Sequence, residues 1–284
     1  MASGKAMKPV ISISRRTDIP AAYSDWLANA LERGEVNFLS PHGRVRTVSL
    51  RPDDVHSLVL WSKNYEAMLD NDRLNGLLSR YNVYFHFTIT GLGGSEIEPR
   101  APSTDVAVSH LAELCRRWGA NRVNWRFDPI VHWRNSIGEV ASNLGQFEPL
   151  SQQIASLGIR TCTFSFAQWY RKCITRASRR GFKYYDPDDE EKLRALEWMA
   201  GVAEKVGMEL RSCASVTWTR VHGVTPAHCV DGELLSRLHP SREPAEIGKD
   251  KTQREECGCT PSIDIGSYAQ VCPGKCVYCY ASPC

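Results

Sequence analysis

The sequence predicts an α/β fold: a parallel sheet, closed or nearly closed into a (β/α) barrel of about six units, with a cysteine-rich tail folded over the barrel mouth. Three observations carry this. Short β-branched and aromatic runs alternate with amphipathic helical stretches from Val10 to Cys213, as in strand–helix units built on a parallel sheet. Several strands end in polar or charged residues, as barrel strands do where they face a ligand. After Ser215 the alternation stops, and residues 216–284 are rich in Pro, Gly and Cys. An open, doubly wound sheet is the alternative reading of the same alternation.

Val10 to Ser14 (Val-Ile-Ser-Ile-Ser) reads as a buried strand. Beyond Arg15-Arg16-Thr17-Asp18-Ile19-Pro20, the residues Tyr23, Trp26, Leu27, Ala30 and Leu31 recur at helical spacing until Gly34. Val36 to Leu39 and Arg44 to Leu50 flank Ser40-Pro41-His42-Gly43 as strand, turn and strand. Ser57 to Trp61 is a short apolar strand, and one helical region then runs to Tyr81 with Leu74, Leu77 and Leu78 on a shared face. Val83 to Thr90 alternates as a strand and is broken by Gly91-Leu92-Gly93-Gly94. Val106, Leu111, Leu114, Cys115 and Trp118 suit a helix before Gly119. Arg122 to Phe127 is a strand ending at Asp128-Pro129, and Phe147 to Leu157 is a helix stopped by Gly158. Thr161 to Phe166 is a strand, Trp169 to Arg180 and Asp188 to Val206 are helices with Asp188 as an N-cap, and Met208 to Cys213 is the last strand. From Val216 to the end no sustained helix or strand period is expected.

With 284 residues, 42% of them apolar, the chain can bury one large core. Met1 to Lys8 has no apolar stretch of the kind a signal peptide needs, and no window approaches a membrane span. A cytoplasmic chain with no membrane partner is expected. A net charge of +3 is too small to argue for nucleic acid. Eight of the eleven cysteines lie from Cys213 onward, and in a cytosolic chain short-spaced groups of that kind favour metal ligation over disulfides.

The strand ends supply the candidate site. The first gives Ser14, Arg15, Arg16 and Asp18; the Trp61 strand gives Ser62, Lys63 and Asn64; the Trp125 strand gives Arg126 and Asp128. Arg15, Arg16, Asp18, Lys63, Arg126 and Asp128 are the candidate catalytic contacts, a cationic, hydrogen-bonding set that suits an anionic small-molecule substrate. Thr90, Gly91, Gly93 and Gly94 are candidates for cofactor binding, since glycines let a ligand approach the backbone closely. His86, between two phenylalanines, reads as a satisfied interior histidine. Arg171, Lys172, Arg176, Arg179, Arg180 and Lys183 cluster on one helix and its exit, as a solvated face or a phosphate-contacting one.

Cys272, Cys276 and Cys279 are spaced C-x3-C-x2-C, so three thiolates on one loop can hold three irons of a [4Fe–4S] cubane and leave the fourth open. Zinc is the competing metal, though it favours paired C-x2-C sets closing a tetrahedron. A fourth thiolate from Cys284 or Cys259 would close the site. Cys257-Gly-Cys259, with Cys213 and Cys229, makes four further thiols for a second, closed cluster. Cys115, Cys162 and Cys173 fall within helix or strand patterns and read as core. The chain thus divides into a disordered stretch over residues 1–9, a barrel-like domain over 10–215 and a cluster-binding tail over 216–284.

With Tyr278 just before its third cysteine, the closing run resembles the cluster loop of radical S-adenosylmethionine (SAM) enzymes. It is especially similar to that of the spore photoproduct lyase branch, although the superfamily normally carries the loop near its N-terminus. Ser14 to Pro20, Trp61-Ser62-Lys63-Asn64, Trp125 to Ile130, Cys257-Gly-Cys259, Asp264-Ile265-Gly266-Ser267-Tyr268 and the closing loop together resemble one prokaryotic family. That family is labelled a domain of unknown function and is described by a C-terminal radical-SAM-like cysteine cluster. The resemblance runs from about Val10 to Cys284; it implies the cluster and supplies no substrate. For Cys272, Cys276 and Cys279 the likeness to radical SAM enzymes implies a cluster that cleaves bound SAM reductively. It further implies a radical acting on a substrate in the barrel, and a reductase or ferredoxin-like electron donor. A non-radical [4Fe–4S] electron carrier or sensor on the same scaffold is the first alternative. A barrel hydrolase or nucleic-acid-processing enzyme with structural zinc is the second.

Overall fold

The computed structural model describes residues 7–39, 44–135, 137–215 and 217–281. The expected turn at Ser40-Pro41-His42-Gly43, most of the 1–9 stretch and Cys284 lie outside them. The strands are β1 (Val10–Ile13), β2 (Glu35–Leu39), β3 (Val45–Ser49), β4 (Ser57–Ser62), β5 (Val83–Thr88), β6 (Val123–Ile130), β7 (His132–Arg134), β8 (Val140–Ser142), β9 (Thr161–Phe166), β10 (Lys183–Tyr184), β11 (Glu209–Ser212), β12 (Val224–Pro226) and β13 (Ile263–Asp264). The helices are α1 (Ile19–Ala22), α2 (Ser24–Arg33), α3 (Glu66–Leu69), α4 (Asp72–Leu78), α5 (Thr104–Trp118), α6 (Phe147–Ser156), α7 (Arg171–Arg179), α8 (Asp189–Lys205) and α9 (Gly232–Leu238).

Among the described residues eight strands form a large sheet in the order β12-β11-β9-β6-β5-β4-β1-β13. The β1/β4, β1/β13, β6/β9, β9/β11 and β11/β12 pairs are all parallel. The order runs from β12 to β13, and no pairing joins those two strands among the described residues. The fold is therefore α/β on a mainly parallel sheet. No described helix is long and apolar enough to cross a membrane.

The chain divides into two compact units. The first comprises residues up to His86 together with His228–Gln270. Ile11, Ile13, Leu58, Leu60 and Phe85 form its buried strand faces, and Leu27, Ala30 and Leu31 of α2 are buried as well. Gly34 ends α2 in the left-handed conformation at φ 72°, which glycine adopts without steric cost. Where one helix is expected before Tyr81 there are two, because the Asn71 side chain accepts the Leu74 N–H at 2.9 Å and starts α4 afresh.

The second unit comprises Phe87–Ala227 with the segment from Val271. Its core is aromatic: Trp125 stacks on Phe147 at 5.5 Å, and Phe127 meets Phe147 edge-on at 5.3 Å. Asp188 and Glu191 close a reciprocal capping box at the start of α8.

The region after Ser215, where no helix or strand is expected, holds α9, β12 and β13. Elements of two to seven residues are too short to display a period. Their places come from pairing and capping instead: Ile263 lies opposite Ile11, and Asp231 accepts the Leu234 N–H at 3.0 Å to start α9.

Candidate functional site

In the first unit, Asp264 organises the end of β1. Its carboxylate accepts from Ser14 Oγ at 2.6 Å, Arg15 N at 2.8 Å, Ser12 Oγ at 3.0 Å and Gly266 N at 3.1 Å. The Arg15 guanidinium lies 3.6 Å from the same carboxylate and donates to Ser262 Oγ at 2.8 Å. Arg16 donates to Gly266 O at 3.0 Å and stands over the Tyr268 ring. Both arginines are thereby held by the segment 262–268, about 250 residues along the chain. A Cβ on Gly266 would stand 2.0 Å from Ser14 Oγ and 2.4 Å from Ser14 Cβ. Gly266→Ala is expected to destabilise the chain by about 1–3 kcal/mol as an overpacked site, read as a lower urea midpoint. An unchanged midpoint would mean that Ser14 can turn away and that this contact holds nothing.

Asp18 and Lys63 meet nearby in the same unit. Asp18 accepts from Ser62 Oγ at 2.6 Å, Lys63 N at 3.0 Å and Ala21 N at 3.1 Å, the last as the N-cap of α1. Burial pushes its carboxyl above the ordinary range, against those hydrogen bonds and the Lys63 charge. Asp18 thus joins the ends of β1 and β4. His86 is the satisfied interior histidine its position suggests. It stacks on Trp61 at 4.0 Å, and its Nε2 contacts Cys229 O at 2.6 Å. A carbonyl can only accept, so this nitrogen carries a proton.

Cys229, Cys257 and Cys259 come together in this unit, while Cys213 belongs to the other. Cys259 is buried, and its sulfur accepts the Val230 N–H at 3.4 Å. Its thiol is pushed up to about 11: a hydrogen bond with Cys229 lowers it, but one with Cys257, together with burial, outweighs that. Among the described residues no group of three or more His, Cys, Asp or Glu side chains is spaced to hold a single metal ion.

The second unit carries the other strand ends. Arg126, mostly buried, pairs with Asp128, which also accepts from Ser165 Oγ at the end of β9. Thr90 donates to the buried Glu98 at 2.7 Å. Gly91, at φ 75°, backs onto Gln146, and a Cβ on Gly93 would lie 1.7 Å from Pro102 O, so both positions require glycine. Gly94 has φ 77° and open space beside it. Asn143 ties this loop to β6, donating to Thr90 O at 3.1 Å and Pro129 O at 3.2 Å while accepting the Val131 N–H at 2.8 Å.

The closing cysteine loop is seated on that framework. Val277 is fully buried with Leu92, Ile97, Val131, Ala177 and Phe182, and its N–H donates to Ile97 O at 3.0 Å. The partly buried Tyr278 donates to Glu98, so a chain of hydrogen bonds runs Thr90–Glu98–Tyr278. Burial, then the Glu98 carboxylate, raises the Tyr278 hydroxyl well above its usual range. On the α7 side, Arg176 donates to Cys279 O at 2.9 Å and Ala281 O at 3.4 Å, and Arg180 to Lys275 O at 3.2 Å. Cys173, expected as core, is buried but also donates its thiol to Cys279 O at 3.3 Å.

The sulfurs of Cys272 and Cys276 both border Gly274, 3.6 and 3.7 Å from where its Cβ would stand. Cys279 N donates to Cys276 O at 3.2 Å, which turns the loop between its second and third cysteines. Two of the three thiols thus lie beside a residue without a side chain, on a loop held from behind. Sequence spacing identifies these cysteines, but it misses Asp264, Glu98, Asn143 and Arg176. Arg176 carries a signal as part of the basic run, and Asp264 as part of the Asp264–Tyr268 motif.

A search of curated proteins returns no match. Among solved structures, 3-dehydroquinate dehydratase from Geobacillus kaustophilus is similar over 79% of this chain and 83% of its own, at 14% identity and a TM-score of 0.28. That score is too low to bear on fold or chemistry. A family model described as Domain of unknown function (DUF1848) matches residues 10–281, nearly the whole chain, so the protein belongs to the DUF1848 family.

Proposed function

We propose that this protein is a radical SAM-like iron–sulfur enzyme whose cluster is held by Cys272, Cys276 and Cys279, acting on a small anionic substrate enclosed by a barrel-like sheet. The observation that carries the reading is the build of the closing loop. Two of its sulfurs border Gly274, while Val277, Tyr278 and the carbonyls of Lys275 and Cys279 are all engaged on the protein side. Cys272, Cys276 and Cys279 would hold a cubane there through three thiolates, and the group would supply, once reduced, the electron for reductive cleavage of SAM.

The chain's own residues do the rest. Arg176, Arg180 and Cys173 hold the loop backbone through its carbonyls. Glu98 anchors the loop through Tyr278. Arg126, with Asp128 and Ser165, offers a charged and hydrogen-bonding strand end in the same unit. Arg15 and Arg16, fixed by the 262–268 segment, offer the first unit's cationic contacts for an anion. Gly91, Gly93 and Gly94 keep the backbone after β5 clear of side chains. A second cluster would draw on Cys229, Cys257 and Cys259, the thiols that the first unit brings together. It would bring iron to about eight atoms per chain rather than about four.

The test is EPR on anaerobically reconstituted, dithionite-reduced protein with and without SAM. The expected result is a cubane signal that changes when SAM is added. A cubane signal indifferent to SAM would leave an electron carrier or sensor. Colourless protein holding zinc and no sulfide would point to the hydrolase or nucleic-acid reading instead.

A further inference from the structure

Helix α7 carries an open cleft of about 580 Å³ lined by Arg171, Lys172, Thr175, Arg176 and Arg179. No acidic residue lines it, and among the described residues Arg171, Lys172 and Arg179 enter no ion pair. Arg171, Lys172 and Arg179 are exposed. The same helix touches the cysteine loop directly, since Arg176 donates to Cys279 O. Beside it two exposed tyrosines, Tyr170 before α7 and Tyr280 after Cys279, meet edge-on at 6.3 Å. A cationic surface with exposed aromatics has the residue types enriched where proteins dock on one another.

We infer that this α7 face is the docking surface for a small acidic electron-carrier protein that reduces the cluster. The inference rests on the cluster reading above. Charge complementarity selects the partner: an acidic carrier is steered to three unpaired cations, and the field of such a patch raises the encounter rate. Docked against α7 and Tyr280, the carrier stands beside the loop that ends at Cys279. One electron then leaves the reduced carrier and enters the oxidised cluster. The carrier departs oxidised, and no proton or bond changes hands.

The experiment compares wild-type holoprotein with the R171E/K172E/R179E variant, which leaves the loop-holding Arg176 intact. Anaerobic stopped-flow spectroscopy follows cluster reduction by a low-potential acidic [2Fe–2S] ferredoxin, reduced beforehand and freed of excess reductant. Wild-type reduction is expected to slow steeply between about 20 mM and 500 mM salt. The variant is expected to react about tenfold or more slowly at low salt, with unchanged iron content and unchanged reduction by dithionite. Equal ferredoxin rates in the two proteins would overturn the docking surface and leave the cluster standing. Wild-type protein that assembles no cluster would sink both readings. Loss of inorganic phosphate or duplex DNA binding in the variant, with ferredoxin-driven reduction intact, would assign the cleft to that ligand and overturn the carrier.

Discussion

Cys276→Ala is expected to abolish assembly of the C-terminal cluster, and Cys272→Ala and Cys279→Ala to do the same. Each of these thiols would hold one iron, so a cluster left with the other two would lack a ligand. Changing an outer-shell partner typically weakens a metal site 10–100-fold, so losing a direct ligand is expected to exceed that range. Cys276 is the sharpest case because it is itself buried, bordering Gly274 with Cys272, and the next residue is locked into the core. The measurement is iron and sulfide per chain after identical anaerobic reconstitution, with circular dichroism to verify the fold. Cys284→Ala and Cys259→Ala are the controls. If either also empties the site, a fourth thiolate closes the cluster, no iron is open to SAM, and the radical enzyme reading falls. If Cys276→Ala retains full iron, the loop is not the cluster site at all.

How much of the fold and site is legible in the sequence depends on what carries the information. β1, β4, β5, β6 and β9 can be read from the sequence because each is rich in apolar, aromatic or β-branched residues over four or more positions. β12 and β13 cannot, because two or three residues hold no period; pairing with β11 and β1 makes them strands. The cysteine loop stands out in the sequence because its three thiols keep the short, fixed spacing that the proposed cluster would need. Glu98 does not, because a single acid in a polar loop looks like any solvated residue, and the motif that contains Asp264 gives no hint of its partners. Folding gives them meaning, by carrying Asp264 to Ser12, Ser14 and Arg15 and Tyr278 to Glu98, across roughly 250 and 180 positions. The glycines after β5 show a third case. Their run announces a break in the strand, but only the structure ties Gly93 to the carbonyl of Pro102 and Gly91 to Gln146.

That dependence on distant contacts makes Tyr278 the most informative residue outside the cysteines. Tyr278→Ala removes a ring packed against the Leu92, Ile97, Val131, Ala177, Phe182 and Val277 cluster and also deprives the buried Glu98 of a donor. Truncating a buried aromatic costs about 3–5 kcal/mol, and a buried polar group left short of a partner adds about 1–3 kcal/mol. Tyr278 is only partly buried, so a loss near the lower end of the first range is expected. Tyr278→Phe isolates the hydroxyl: the ring stays, Glu98 loses the tyrosine donor while keeping Thr90, and the expected loss is about 1–3 kcal/mol. Because the tyrosine sits between Cys276 and Cys279, the damage should also be local. The Val277 amide, bonded to Ile97 O, should exchange hydrogen faster in both variants, and the assembled cluster should be lost sooner in air. Glu98→Gln keeps an acceptor for Tyr278 and Thr90 and is expected to fall between wild type and Tyr278→Phe. Urea midpoints with hydrogen exchange on the closing loop decide the matter. If Tyr278→Phe matches wild type in both, the Thr90–Glu98–Tyr278 chain does not hold the loop. Its seat would then come from Val277 and the α7 arginines alone.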